Sequence, residues 1–156
     1  MKTNRIFGIL SAALILFAAP LQLRASDTPR LQFHLVAEAA DAAPADTLAD
    51  PGSKETLRVR KEVLLDESAV ARASVTISPV RGVPIVSVTV DFNEAGAKRF
   101  AQITAANMGK RLAIVFDGKL LSAPTIRSVI RDKAVITGQF TAAEAEVVAN
   151  ALNASK

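Results

Sequence analysis

The chain has 156 residues, a formal net charge of +4, one His, and no Cys, Trp or Tyr. Without cysteine there is no zinc knuckle, haem attachment or thiol nucleophile, and without Tyr or Trp no aromatic cage or rich stacking platform for bases. The length fits one domain, and the 50% hydrophobic content is swollen by 29 alanines and an apolar N-terminal run.

Lys2 and Arg5 precede 14 uncharged residues, Ile6 to Ala19, closed by Pro20. Gln22 and Arg24 restore polarity ahead of Ala25-Ser26. Basic, then apolar, then small is the layout of a secretory signal peptide. The expectation is a leader over 1–25, cut after Ala25, and a single exported domain over 26–156. The alternative is an uncleaved leader that anchors the chain in the inner membrane, but the run is shorter than the roughly 20 residues a spanning helix needs. No later segment is long and apolar enough to span. The remaining 131 residues carry 16 basic and 15 acidic side chains. That near-balance argues against a nucleic-acid partner. A domain of this size buries roughly two-thirds of its unfolded surface without staples.

Leu31, Phe33 and Leu35 alternate with polar residues and read as a half-buried strand. Residues 37–56, rich in Ala, Asp and Pro, read as an exposed loop. Leu57, Val59, Val63 and Leu65 alternate with Arg58, Arg60 and Glu62 as a second strand, whose basic residues form a solvated edge. Asp66 caps one helical turn. Ala73–Ser78 and Ile85–Phe92 both alternate strictly around Pro79, Gly82 and Pro84, the pattern of a hairpin.

Asn93 opens a helix with Ala97, Phe100, Ala101, Thr104 and Met108 at helical spacing, and Gly109 stops it. Leu112–Phe116 is a strand, Asp117-Gly118 a hairpin turn, and Lys119–Ser122 the return. Pro124 breaks the chain, and Ala134–Thr137 is a further short strand. Thr141-Ala-Ala-Glu144 is a capping box. It opens a last helix with Ala145, Val148, Ala149 and Leu152 inward. The order of elements predicts an α+β fold: a mixed, mainly antiparallel sheet with two main helices packed on one face.

Little in the chain supports catalysis. His34 has no acid two residues away on its face, so it makes no metal site and reads as a surface histidine. No G-x-S-x-G elbow and no phosphate-binding glycine cluster is present. Asp66-Glu67 reads as a helix cap and Glu144/Glu146 as a helix start. The expectation is no catalytic, metal or cofactor site. Asn153-Ala-Ser155 fits the glycosylation pattern at the C-terminus. Lys119 to Arg127 sets adjacent apolar residues beside a break and a basic end. It reads as a groove wall for an extended apolar segment, with Leu120, Leu121, Pro124, Ile126 and Arg127 as polypeptide-binding residues.

Three stretches carry a resemblance: Phe92-Asn-Glu-Ala-Gly-Ala-Lys-Arg-Phe-Ala-Gln-Ile-Thr104, Asn107-Met-Gly-Lys-Arg-Leu-Ala-Ile-Val-Phe-Asp-Gly-Lys-Leu-Leu-Ser-Ala-Pro-Thr-Ile-Arg127 and Ile136-Thr-Gly-Gln-Phe-Thr141. Together they resemble the head subdomain of the first periplasmic domain of SecD, a subunit of the Sec preprotein translocase. The similarity spans Leu31 to Leu152 and is strongest after Asp91. It departs at Arg131-Asp132-Lys133, where the family has a Gly-Gly-type turn, and at Arg127-Ser-Val-Ile130, where it has Arg-Glu-Pro-Ile. The resemblance implies a periplasmic, non-catalytic module that contacts unfolded polypeptide or an envelope protein. One alternative is an accessory factor docking on the Sec translocon. Another is a hydrolase with an unrecognised carboxylate site.

Overall fold

The computed structural model describes residues 30–53 and 55–155, so the expected leader lies outside the described residues. The elements run β1 (Leu31–Leu35), β2 (Ala45–Ala49), β3 (Thr56–Arg60), β4 (Leu65–Asp66), a 3-10 turn (Glu67–Ala69), β5 (Val70–Val80), β6 (Val83–Phe92), α1 (Glu94–Ala106), β7 (Leu112–Phe116), β8 (Lys119–Ser122), β9 (Lys133–Thr137) and α2 (Ala142–Ala154). The fold is α+β with two main helices. Its strands pair antiparallel and divide into three sheets, ordered β4-β1-β7-β8, β5-β6-β9 and β2-β3.

The β7 sequence Leu-Ala-Ile-Val-Phe explains the layering. All five residues are buried, so both faces of this strand are covered. Leu112, Ile114 and Phe116 join the main core with Leu31, Phe33, Phe100, Val88, Val90, Ile136, Val148 and Leu152. Ala113 and Val115 face the other way, into a smaller cluster with Val59 and Leu120. The β2–β3 hairpin lies over that second face and adds Leu48 and Leu57.

The long hairpin and the caps follow the sequence pattern. β5 and β6 pair from Val70/Phe92 to Val80/Val83, with one irregularity between Val70 and Arg72. Arg81 and Gly82 turn the chain at φ 52° and 82°, the double positive φ of a two-residue type I′ turn. β9 pairs with β6 only between Ser87/Thr137 and Asp91/Lys133. The end of the hairpin is therefore a free two-stranded ribbon with Pro79 opposite Pro84. Asn93 accepts from the Gly96 amide at 2.8 Å. The Thr141 and Glu144 capping box forms with both reciprocal bonds.

Other expectations are corrected. The segment read as an exposed loop, 37–56, contains β2 in register with β3, Leu48 opposite Leu57. Its acids find basic residues in or next to the neighbouring strands: Asp41 pairs with Arg60, Asp46 with Lys61 at 3.1 Å, and Asp50 with Arg111 at 3.5 Å. The strand expected through Leu65 stops at Arg60. From there the chain crosses from the hairpin arm to the edge of β1, which leaves Val63 41% exposed. His34 is not on the surface: it is 6% exposed because the arm covers the polar side of β1. Met108 lies beyond α1 and is 49% exposed. The Asn153 side chain of the glycosylation pattern accepts from the Ala73 amide and donates to the Ala73 carbonyl, both at 2.9 Å.

Gly96 sets the approach of α1 to the 3-10 turn. A Cβ there would meet the Ala69 carbonyl oxygen at 2.4 Å and the Ala69 Cβ at 2.7 Å. Backbone cannot yield as a side chain end can. Gly96→Ala is expected to destabilise the domain by about 2 kcal/mol in urea unfolding, overpacking outweighing a helix-propensity gain of about 1 kcal/mol.

Candidate functional site

The second half of the chain builds one apolar cleft of about 360 Å³. Asp117 and Gly118, at φ 47° and 76°, fold β8 back on β7 and bring Phe116 beside Leu120 and Leu121. The loop after β9 delivers Phe140, and the first turns of α2 deliver Val147 and Val148. Pro51, from the β2–β3 loop, completes the rim. Val147 is 60% exposed although it is a large apolar side chain. The floor is tight: a Cβ on Gly138 would meet the Leu121 carbonyl oxygen and the Phe140 ring, each at 2.7 Å.

The polar rim is engaged with its own neighbours. Arg30 donates to both carboxylate oxygens of Asp117, from Nε at 2.9 Å and Nη2 at 2.6 Å, and its guanidinium lies 5.0 Å from the Phe116 ring centroid. That donor pair holds the Asp117 carboxyl below the usual carboxylate range. Glu144 accepts from the Thr141 amide at 2.8 Å and hydroxyl at 2.9 Å. The backbone bond foremost keeps its carboxyl low as well. Both acids stay ionised at neutral pH, so neither is poised to donate a proton. Among the described residues no group of three or more His, Cys, Asp or Glu could hold a metal ion. The cleft's chemistry is apolar contact with a charged rim.

The residues of the expected groove wall are separated by the fold. Leu120 and Leu121 line the cleft. Ile126 is 4% exposed and belongs to the main core. Its amide donates to the Lys110 carbonyl and its carbonyl accepts from the Gly109 amide, both at 2.9 Å. Pro124 is exposed and its carbonyl accepts from the Leu112 amide at 2.8 Å. Arg127 is exposed and does not line the cleft. Sequence reasoning overlooked Phe140, Val147 and Phe116. Val147 did carry a signal, since it is a large apolar residue off the inward face set by Ala145, Val148, Ala149 and Leu152.

The floor contact makes a prediction. Gly138→Ala should push the Phe140 ring from its place and loosen the edge of β8. The expected cost is about 1–3 kcal/mol in urea unfolding, with the Phe140 ring signals shifted in NMR spectra.

Comparison with known proteins places this architecture. The family model described as SecDF, P1 head subdomain, matches residues 42–156. The protein translocase subunit SecD of Rickettsia typhi is 38% identical over 135 residues, covering 78% of this chain and 26% of that subunit. The SecD subunit of Leptotrichia buccalis is 47% identical over 91 residues, covering 58% of this chain and 22% of that subunit. The chain thus spans about a quarter of the length of the curated relatives it matches. A solved structure described as a membrane component, SecDF, that enhances protein export aligns with a TM-score of 0.61 at 30% identity, over 80% of this chain and 62% of that one. The match takes in β2 through α2, with every wall of the cleft, and the chain belongs to the SecDF P1 head subdomain family.

Proposed function

We propose that the domain is a non-catalytic binding module of protein export that holds an extended apolar stretch of polypeptide in the cleft. The observation that carries this reading is the cleft itself: Phe116, Leu120, Leu121, Phe140 and Val147 converge on about 360 Å³, while the rim acids are occupied by Arg30 and Thr141. A cleft with apolar walls, whose rim carboxylates are both engaged and whose remaining charge is Lys119, suits side-chain capture rather than bond cleavage. The hydrolase alternative therefore gains no support. Pro124 and Arg127 extend the reading only as outer contacts, and Ile126 serves it by fixing the loop that carries them.

Membership in the head family, whose relatives are named as translocase subunits, supports a place in export on the periplasmic side, in contact with the Sec machinery or with an envelope partner. On this reading residues 1–25 are the export leader and 26–156 the exported domain. Among the described residues no helix is long and apolar enough to cross a membrane.

Val147 gives a test that spares the fold, because it is already 60% exposed. Val147→Asp should change stability by about 0.5 kcal/mol or less. It should weaken binding of a permanently unfolded, carboxymethylated polypeptide by about tenfold in fluorescence anisotropy, as should Leu121→Asp. Ile126→Asp, by contrast, should unfold the domain, since it buries a charge in the core. Unchanged polypeptide affinity in both folded cleft variants would rule the cleft out.

A further inference from the structure

The outer face of β1 holds an ionisable group that the cleft does not use. His34 stands opposite Ala113 in the β1–β7 register, so its ring lies beneath the β2–β3 arm. Nδ1 is 3.0 Å from the Glu62 carbonyl oxygen, and Nε2 is 3.2 Å from Oε1 of Gln32. A carbonyl oxygen only accepts, so the Glu62 contact keeps a proton on Nδ1 in either charge state. Nε2 is the atom that gains or loses one. When it is protonated, Gln32 must present its oxygen; when it is bare, Gln32 must present its NH2.

The surroundings decide which state the closed arm favours. A cavity of about 330 Å³ adjoins the ring, bounded by Asp46 and Leu48 of β2, Val59 and Arg60 of β3, and Lys61 just after it. The charged groups there are already matched, Lys61 to Asp46 and Arg60 to Asp41. Glu62 offers its carbonyl, and β7 offers only Ala113 and Val115, which carry no charge. The Glu62 and Arg60 carbonyls and the Asp46 carboxylate, which Lys61 shares, favour an imidazolium here, but less than burial opposes it. Burial dominates and holds the His34 pKa below its ordinary value.

We propose that His34 is a proton-operated latch: neutral, it seals the β2–β3 arm onto the four-stranded sheet, and protonated, it drives the arm away so that the ring meets water. The arm is the part of the fold suited to such movement. Beneath it lies only the small cluster of Val59, Ala113, Val115 and Leu120, and the ion pair that ties it to the start of β7, Asp50 with Arg111, is long at 3.5 Å and partly exposed. Opening it leaves the main core intact, and local opening of this kind costs less than global unfolding. The sign follows from the lowered pKa. The closed arm is favoured above about pH 6.5, and that preference is lost as pH falls through the folded-state value.

His34 is the chain's one histidine, which makes the test direct. In the full chain, the labelled imidazole should titrate below 6.5 by NMR. Amide protection of β2 and β3, corrected for intrinsic exchange and measured against β7, should fall about tenfold between about pH 7.5 and about pH 5. His34→Gln keeps a donor and an acceptor but does not titrate, so its arm protection should stay level across that range. A ring that titrates at or above 6.5, or arm protection that falls as far in the variant as in the parent, overturns the proposal. If the variant does not fold, the parent decides alone: imidazole titration and arm opening must share one midpoint, and separate midpoints overturn the proposal.

Discussion

Three phenylalanine rings join the parts of this molecule. Phe33 comes from the four-stranded sheet, Phe92 from the end of the long hairpin and Phe100 from α1. Their centroids lie 6.2, 5.3 and 4.7 Å apart, with two of the three contacts edge-on. Phe33 and Phe100 are almost wholly buried. Each ring contributes about 1.5–3 kcal/mol by burial, and each paired contact about 0.5–1.5 kcal/mol more. Among the described residues no backbone pairing links the two larger sheets, so these rings are a principal join between them. α1 is set against that join by the close approach of Gly96 to Ala69. Thr104 then ties the loop before β9 to the helix, accepting from the Ile130 amide at 3.0 Å.

Much of this was legible in local pattern. The alternation of β5 and β6, the helix starts at Asn93 and Thr141, and the Asp117-Gly118 turn depend on residues close in sequence, and the structure has them where the sequence puts them. β2 was not legible, because its Ala, Asp and Thr residues have no strand signal of their own. They pair only when Leu48 meets Leu57 and the acids meet Arg60, Lys61 and Arg111. His34 was misjudged for the same reason: on β1 alone its side looks solvated, and only the arm makes it interior. The candidate site was half legible. Leu120 and Leu121 stand out as adjacent apolar residues, but nothing local shows that the chain after Pro124 turns inward and takes Ile126 to the core. Phe140 and Val147 join the cleft through a helix that packs from the far end of the chain.

The two faces of the four-stranded sheet communicate through its edge. Leu120 belongs to the cluster under the arm and also lines the cleft. Pro51, on the loop joining β2 to β3, sits on the cleft rim. The arm and the cleft therefore share residues, Leu120 as a common wall and Pro51 as a rim carried by the arm's own loop.

The Pro79–Pro84 pair near the end of the long hairpin has a further consequence. In a two-residue turn the flanking residues Val80 and Val83 form the hydrogen-bonded pair. Pro79 and Pro84 are then the next, non-bonded pair, and their nitrogens face outward, one on each margin of the ribbon. A proline there removes no ladder bond and denies an incoming strand a donor. Ile77, Val80, Val83 and Ile85 are all well exposed on this ribbon, and such a segment with open margins would template amyloid-like growth. With one donor missing on each margin, the ribbon is a poorer template for strand addition than its exposed apolar side chains alone would make it.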